Sequence, residues 1–213
     1  MERSRLGGLF ILCATIVMVG TIFFEYQLGW IGVSRTEEET ISFMTDHWQE
    51  LSQIWLWQAI AYLLFTLSYL AFFFNSRGIK KFLWFILLIS GTMMVVSMGL
   101  TLYNYEMALS EYTSNPENFK AIQKIVRPLY AMGKYGSALF TFAYFFDAFG
   151  RGGVRRIPGL LLLFAVVSGL AMGFILGFDM KVVGALWFFL PFHFAISILK
   201  NQPEPEPELE LEE

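Results

Sequence analysis

Four ionisable side chains fall inside long apolar runs of this 213-residue chain: Glu25, Lys134, Asp147 and His193. Charge in an apolar run is costly and marks function by default. An acid and an amine at one depth can pair or relay a proton, and Glu25 lies at a depth compatible with Lys134. His193 follows Pro191 by two residues, and that proline denies the Trp187 carbonyl its helical donor. A titratable ring beside a local kink can hold a ligand or a proton. Each residue also has a structural reading. Lys134 can snorkel outward on its long stem. Asp147, one turn from a cationic cluster, can neutralise Arg151 or Arg155. His193 can be satisfied by a neighbouring Tyr, Ser or carbonyl.

Other chemistries find little support in the residues. Cys13 is the lone cysteine, so no intramolecular disulfide forms and a thiolate metal site would need other ligands. A haem held between two histidines needs both at matching depth, and His47 falls in a polar segment. No HExxH, GxSxG or phosphate-cradling glycine loop occurs. No catalytic, cofactor-binding or metal residue is therefore assigned. Ser137 on the fourth apolar run and His193 on the sixth give a plan similar to that of rhomboid proteases, whose serine and histidine occupy those spans. The resemblance implies an intramembrane hydrolase using Ser137 and His193. The motifs differ: rhomboids place glycine two before and one after the serine, where this chain has Tyr135 and Ala138. Phe192 and Phe194 flank His193 where rhomboids pack small residues.

The elements that carry these residues are read from hydropathy. Hydrophobic residues make up 56% of the chain and charged ones 15%, and no soluble core of this size hides 23 Phe. Six runs, at about 6–31, 51–74, 82–103, 129–149, 157–178 and 182–199, are each long enough for a hydrocarbon core of about 30 Å. The expected class is all-α: a polytopic membrane protein with six transmembrane helices in three hairpins, one domain over 1–200. The first run follows Arg3 and Arg5, is longer than a signal-peptide apolar region and lacks a small-residue cleavage site, so it reads as a retained span. Residues 201–213 alternate Pro or Leu with Glu and are expected to form a disordered acidic tail.

Leu64–Lys81 and Leu139–Arg156, offset by 75 residues, share Leu64/Leu139, Phe65/Phe140, Thr66/Thr141, Tyr69/Tyr144, Phe74/Phe149 and Gly78/Gly153. Each copy is a span ending in glycine and a cationic turn, which suggests an internal duplication. Between the spans, Thr36 and Glu39 have capping-box spacing for a helix starting near Glu37, with Ile41, Met44, Trp48, Leu51 and Trp55 on one stripe. Asn115-Pro116-Glu117 resembles an N-cap, and Pro128 is expected to bend or restart the fourth span. Ser90, Gly91, Ser97 and Gly99 would admit a close neighbour. Gly169, Gly173 and Gly177 form a Gly-x-x-x-Gly-x-x-x-Gly ridge whose meaning is helix packing.

Orientation follows the cations. Arg3, Arg5, Arg77, Lys80, Lys81, Arg151, Arg155, Arg156 and Lys200 share one side, which places both termini in the cytoplasm. A bacterial cytoplasmic (inner) membrane fits the compactness and the lack of glycosylation sequons. No nucleic-acid footprint exists, because the chain has no basic patch of that kind. The favoured function is a non-enzymatic membrane scaffold, accessory or regulatory subunit, with the lipid bilayer and a membrane-protein partner or second copy as its contacts. The alternative is a carrier or channel for a small solute, ion or proton; lipid binding between spans by the cationic turns fits either, and the hydrolase is a remote alternative.

Overall fold

The computed structural model describes residues 2–150, 157–176 and 184–200. Arg151 to Arg156, Gly177, Lys181 and the acidic tail lie outside these residues. The described residues are built from helices, with no strand: α1 (Glu2–Gln27), α2 (Glu37–Asp46), α3 (Trp48–Asn75), α4 (Gly78–Ser110), α5 (Pro116–Ser137), α6 (Phe140–Gly150) and α7 (Ile157–Ile175). A 3-10 turn, Gly184–Phe188, then leads into α8 (Phe189–Lys200). Helices α1, α3 and α4 are long and apolar enough to cross a membrane. Only 39%, 33% and 39% of their apolar windows are buried, so each keeps apolar side chains outside the core. Phe23, Phe24, Phe74 and Phe82 are all more than half exposed.

Local chemistry explains where the helices stop. Gly29 and Gly32 take φ of 79° and 83°, a left-handed conformation that glycine adopts at little cost, and α1 ends just before them. Arg35 closes this turn: Nη2 donates to the Gly29 carbonyl at 2.6 Å, and the guanidinium sits 4.0 Å from the Phe43 ring centre. Thr36 and Glu39 make the full capping box that starts α2. Ile41, Met44, Leu51 and Trp55 are buried along the stripe that runs from α2 into α3.

The stretch expected as a long second loop is mostly helix. Helix α4 has 33 residues, about 50 Å long, and overshoots its expected end at Tyr103 because its hydrogen-bond ladder needs no apolar side chains. Tyr105 of this extension packs on Phe119 of α5, ring centres 5.0 Å apart. Pro116 does stand in the first turn of α5, but Asn115 makes no side-chain cap bond. Pro128 neither ends nor restarts α5. It is exposed, as is Lys124, whose carbonyl the proline leaves without a helical donor.

The stretch expected as one fourth span is two helices, α5 ending at Ser137 and α6 beginning at Phe140. The junction stays bonded: Leu139 N–H donates to the Gly136 carbonyl at 3.0 Å and Thr141 N–H to the Ala138 carbonyl at 3.1 Å. These are short-range bonds that tighten the chain without orphaning its backbone. Pro191 likewise does not kink a continuous sixth helix. It stands in the first turn of α8, where a proline is tolerated, and the residues before it take the tighter 3-10 form.

Helix α1 packs on α3 and α8, α3 on α4, and α4 on α5, while α6 touches α4, α7 and α8. The tightest approaches centre on α4. Gly91 faces Thr66 of α3, where an added Cβ would lie 3.3 Å from the Thr66 Cβ. Gly133 and Gly136 of α5 face Met94 and Ser90. Ser97 Oγ also donates to the Val126 carbonyl at 3.2 Å. Gly99 meets nothing within 4 Å. Gly169 lies against the 3-10 turn, where an added Cβ would stand 3.1 Å from Leu186 Cδ1.

Two measurements check this packing. A Cβ at Gly136 would come within 2.7 Å of the Ser90 Cβ, so Gly136→Ala forces a backbone shift. It should cost about 1–3 kcal/mol of unfolding free energy in micelles. Gly99→Ala should instead gain up to about 1 kcal/mol through helix propensity. The second concerns acid. The Thr36 backbone N–H, then its hydroxyl, with Arg35 adding a weaker pull, hold the Glu39 carboxylate below the ordinary 4.5. A depressed folded value means this contribution is present above 4.5 and is lost as pH falls through the folded value. Amide protection in the first turn of α2 should therefore hold from pH 7 to 4.5 and fall as the pH is lowered further.

Candidate functional site

At the end of the bundle where α1 begins, a cavity of about 510 Å³ opens between α1, α3, α4, α6 and α8. Its rim is polar: Ser4, Asn75, Ser76, Arg77, Lys80 and Asp147. Its wall is aromatic. Phe72 stacks on Trp84 with ring centres 4.8 Å apart, and Phe194 meets Phe72 at 5.4 Å and Trp84 at 5.9 Å. Phe140 lies against this triangle, 5.5 Å from Phe194 and 6.1 Å from Trp84, and is fully buried.

The turn between α3 and α4 builds the cationic side of the rim. Gly78 takes φ of 56° three residues after Asn75, where α4 begins, and Arg77 and Lys80 stand at the mouth. Lys80 reaches across: an added Cβ on Gly150, at the end of α6, would lie 3.6 Å from its Nζ. Lys81 turns away, its Nζ 4.8 Å from the Phe73 ring centre. Asp147 is half-buried on the facing side. Arg151 and Arg155, its expected partners, lie outside the described residues.

The other three candidates stand elsewhere. His193 is half-buried, and its Nδ1 is 2.8 Å from the Tyr144 hydroxyl, either atom serving as donor according to the tautomer. The pair points to α7, where an added Cβ on Gly159 would be 3.4 Å from the same hydroxyl. Ser137 makes no hydrogen bond to His193. Glu25 is buried toward the opposite end of the bundle and accepts from Trp55 Nε1–H at 2.9 Å. Trp30 and Trp48 pack edge-on against Trp55 at 5.7 and 5.8 Å.

Lys134 is exposed on α5 and is not paired with Glu25, since the salt bridge among the described residues joins Lys120 to Glu117 at 3.1 Å. With Lys120, Lys124 and Arg127 it forms a cationic stripe at helical spacing. A second cavity, about 420 Å³, lies beside the upper part of this stripe against Glu37. Neither cavity is lined by Glu25, Lys134 or His193. No three His, Cys, Asp or Glu side chains come together as metal ligands among the described residues.

Trp55 on the α2–α3 stripe and Tyr144 in the repeat were visible in the chain, but neither pattern marked them as the partners of Glu25 and His193. The cavity did leave a trace in the chain. The 75-residue offset pairs Phe72 with Asp147, and both line it.

Trp55→Phe keeps most of the aromatic bulk but removes one donor from a buried carboxylate, which should cost about 1 kcal/mol or more in an unfolding titration. Trp57→Phe, at a side chain more than half exposed, should change stability by less than about 0.5 kcal/mol. Comparison of the chain with protein families, with curated proteins and with solved structures gives no match.

Proposed function

We propose that this chain is a six-helix membrane protein that acts as a non-enzymatic scaffold, accessory or regulatory subunit, packing against another membrane protein or a second copy. Helices α1, α3 and α4 supply three crossings. The end of α5 with α6, then α7, then the 3-10 turn with α8, would supply the others. Helix α7 has 19 residues, about 28 Å, close to the hydrocarbon thickness. The bonded junction at Ala138–Leu139 is the kind of irregularity a bilayer tolerates. With both termini cytoplasmic, Arg77 and Lys80 stand at the inner headgroups. A duplication is supported by burial: Phe65 and Phe140 are both buried, as are Tyr69 and Tyr144, while Phe74 and Phe149 are both exposed.

The dispersal of the ionisable groups carries the scaffold reading. A carrier would need Glu25, Lys134 and His193 to converge on a water path. Here Glu25 is engaged by Trp55, His193 by Tyr144, and Lys134 faces outward. The cavity at the amino-terminal end stops at the Phe72, Trp84 and Phe194 wall. A partner surface is available on α7, where Leu161, Phe164 and Ile175 are each more than three-fifths exposed.

Flux measurements on proteoliposomes test the choice. The scaffold reading predicts no proton or small-ion flux above empty vesicles under an imposed gradient. A flux that falls in His193→Ala or Lys134→Met would establish the carrier instead.

A further inference from the structure

We infer that the cavity at the amino-terminal end of the bundle binds a phosphate ester, and that its natural source is the headgroup of an anionic phospholipid. The inference rests on the membrane placement above but not on the scaffold role. Three features of the cavity converge on this chemistry. Its volume of about 510 Å³ suits a headgroup-sized ligand. Its mouth brings the exposed cations Arg77 and Lys80 together with the Ser4 and Ser76 hydroxyls and the Asn75 amide, one N–H of which donates to the Ala71 carbonyl at 2.8 Å, a mixture of charge and neutral donors suited to phosphate oxygens. Its wall includes the packed Phe72, Trp84 and Phe194 triangle, so the same cavity that holds the charges is bounded by apolar rings.

A soluble anion has no use for that wall; an amphiphile does. The depth also agrees, because the cavity lies where the apolar segments of α3 and α4 end, and basic pockets between helices at that level recognise lipid headgroups. Helix α4 begins at the mouth, and its Arg77 N-cap makes no side-chain bond to the first-turn N–H groups, which adds positive potential to the two cations. Asp147 is the acid on the rim.

The test is native mass spectrometry of the full chain in neutral detergent with equal phosphatidylglycerol and phosphatidylcholine. Phosphatidylglycerol should be retained selectively, one per chain. The Arg77→Gln/Lys80→Gln double variant should weaken its apparent Kd about thirtyfold, and each single variant about fivefold, from about 1 kcal/mol per cation. Asp147→Asn should bind phosphatidylglycerol at least as tightly as the parent. An unchanged melting temperature of the variants without lipid certifies their fold, and the single variants serve if the double one fails it.

If excess inorganic phosphate displaces phosphatidylglycerol and raises the melting temperature alone, the phosphate site holds and the lipid source is overturned. Equal retention of both lipids, or retention unchanged in the variants, overturns the site itself. Carbonate extraction of membranes is run in parallel. Release of the chain there would refute the membrane placement, whereas retention without lipid selectivity refutes only the site.

Discussion

Close backbone approach at the middle of α4 is the constraint on which the rest of the structure depends. Ser90, Gly91 and Met94 occupy one turn of that helix, with α3 against Gly91 and α5 against Ser90 and Met94. In the membrane placement proposed above, helices would gain little from hiding apolar surface, since lipid tails are as apolar as leucine. What remains is dispersion contact, which falls off within a fraction of an ångström, so small residues at the crossing decide how much is gained. The cost appears in α5. Two glycines within four residues of its end weaken the helix where it presses hardest on α4, and the chain tightens and restarts as α6.

Away from this crossing the two ends of the bundle are packed by aromatic rings. Toward one end, Trp30, Trp48, Trp55, Tyr105 and Phe119 gather beneath α2. Toward the other, Tyr69, Phe72, Trp84, Phe140 and Phe194 join α3, α4, α6 and α8. Rings supply large contact areas with few rotatable bonds, and their edges and N–H groups settle polar neighbours. Trp55 does this for Glu25, and Trp187 does it for Thr141, whose hydroxyl accepts its indole N–H at 3.2 Å. The polar groups buried in the bundle are therefore bonded at separate points rather than pooled. Among the described residues, open polar space lies at the rim at the amino-terminal end, where the turn at Gly78 sets Arg77 and Lys80 at the mouth, and beside the cationic stripe of α5.

The helical class, the capping box at Thr36 and the stripe from Ile41 to Trp55 were legible because each is a local pattern. Ser90 and Gly91 were legible as small residues in an apolar run, but nothing local separated them from Gly99, which faces open space. The extension of α4 to Ser110 was hidden by polar residues that a hydropathy reading treats as loop, although helix bonding is indifferent to them. The α5–α6 junction and the 3-10 turn before Pro191 depend on neighbours far along the chain. The same holds for the candidate site. Arg77 and Lys80 read as an orientation signal, Asp147 as a local neutraliser, and only the fold places them around one space. His193 satisfied by a tyrosine was anticipated in kind, and Glu25 paired with Lys134 was not what the fold chose.

Cysteine accessibility in intact cells, in a Cys13→Ser background, tests the proposed threading most directly. A chain that crosses the bilayer six times with both termini inside gives Arg77→Cys and Gln202→Cys that react with an impermeant maleimide only after permeabilisation. Glu38→Cys and Glu111→Cys then react from outside without it. Labelling of position 77 and position 111 from the same side would contradict it.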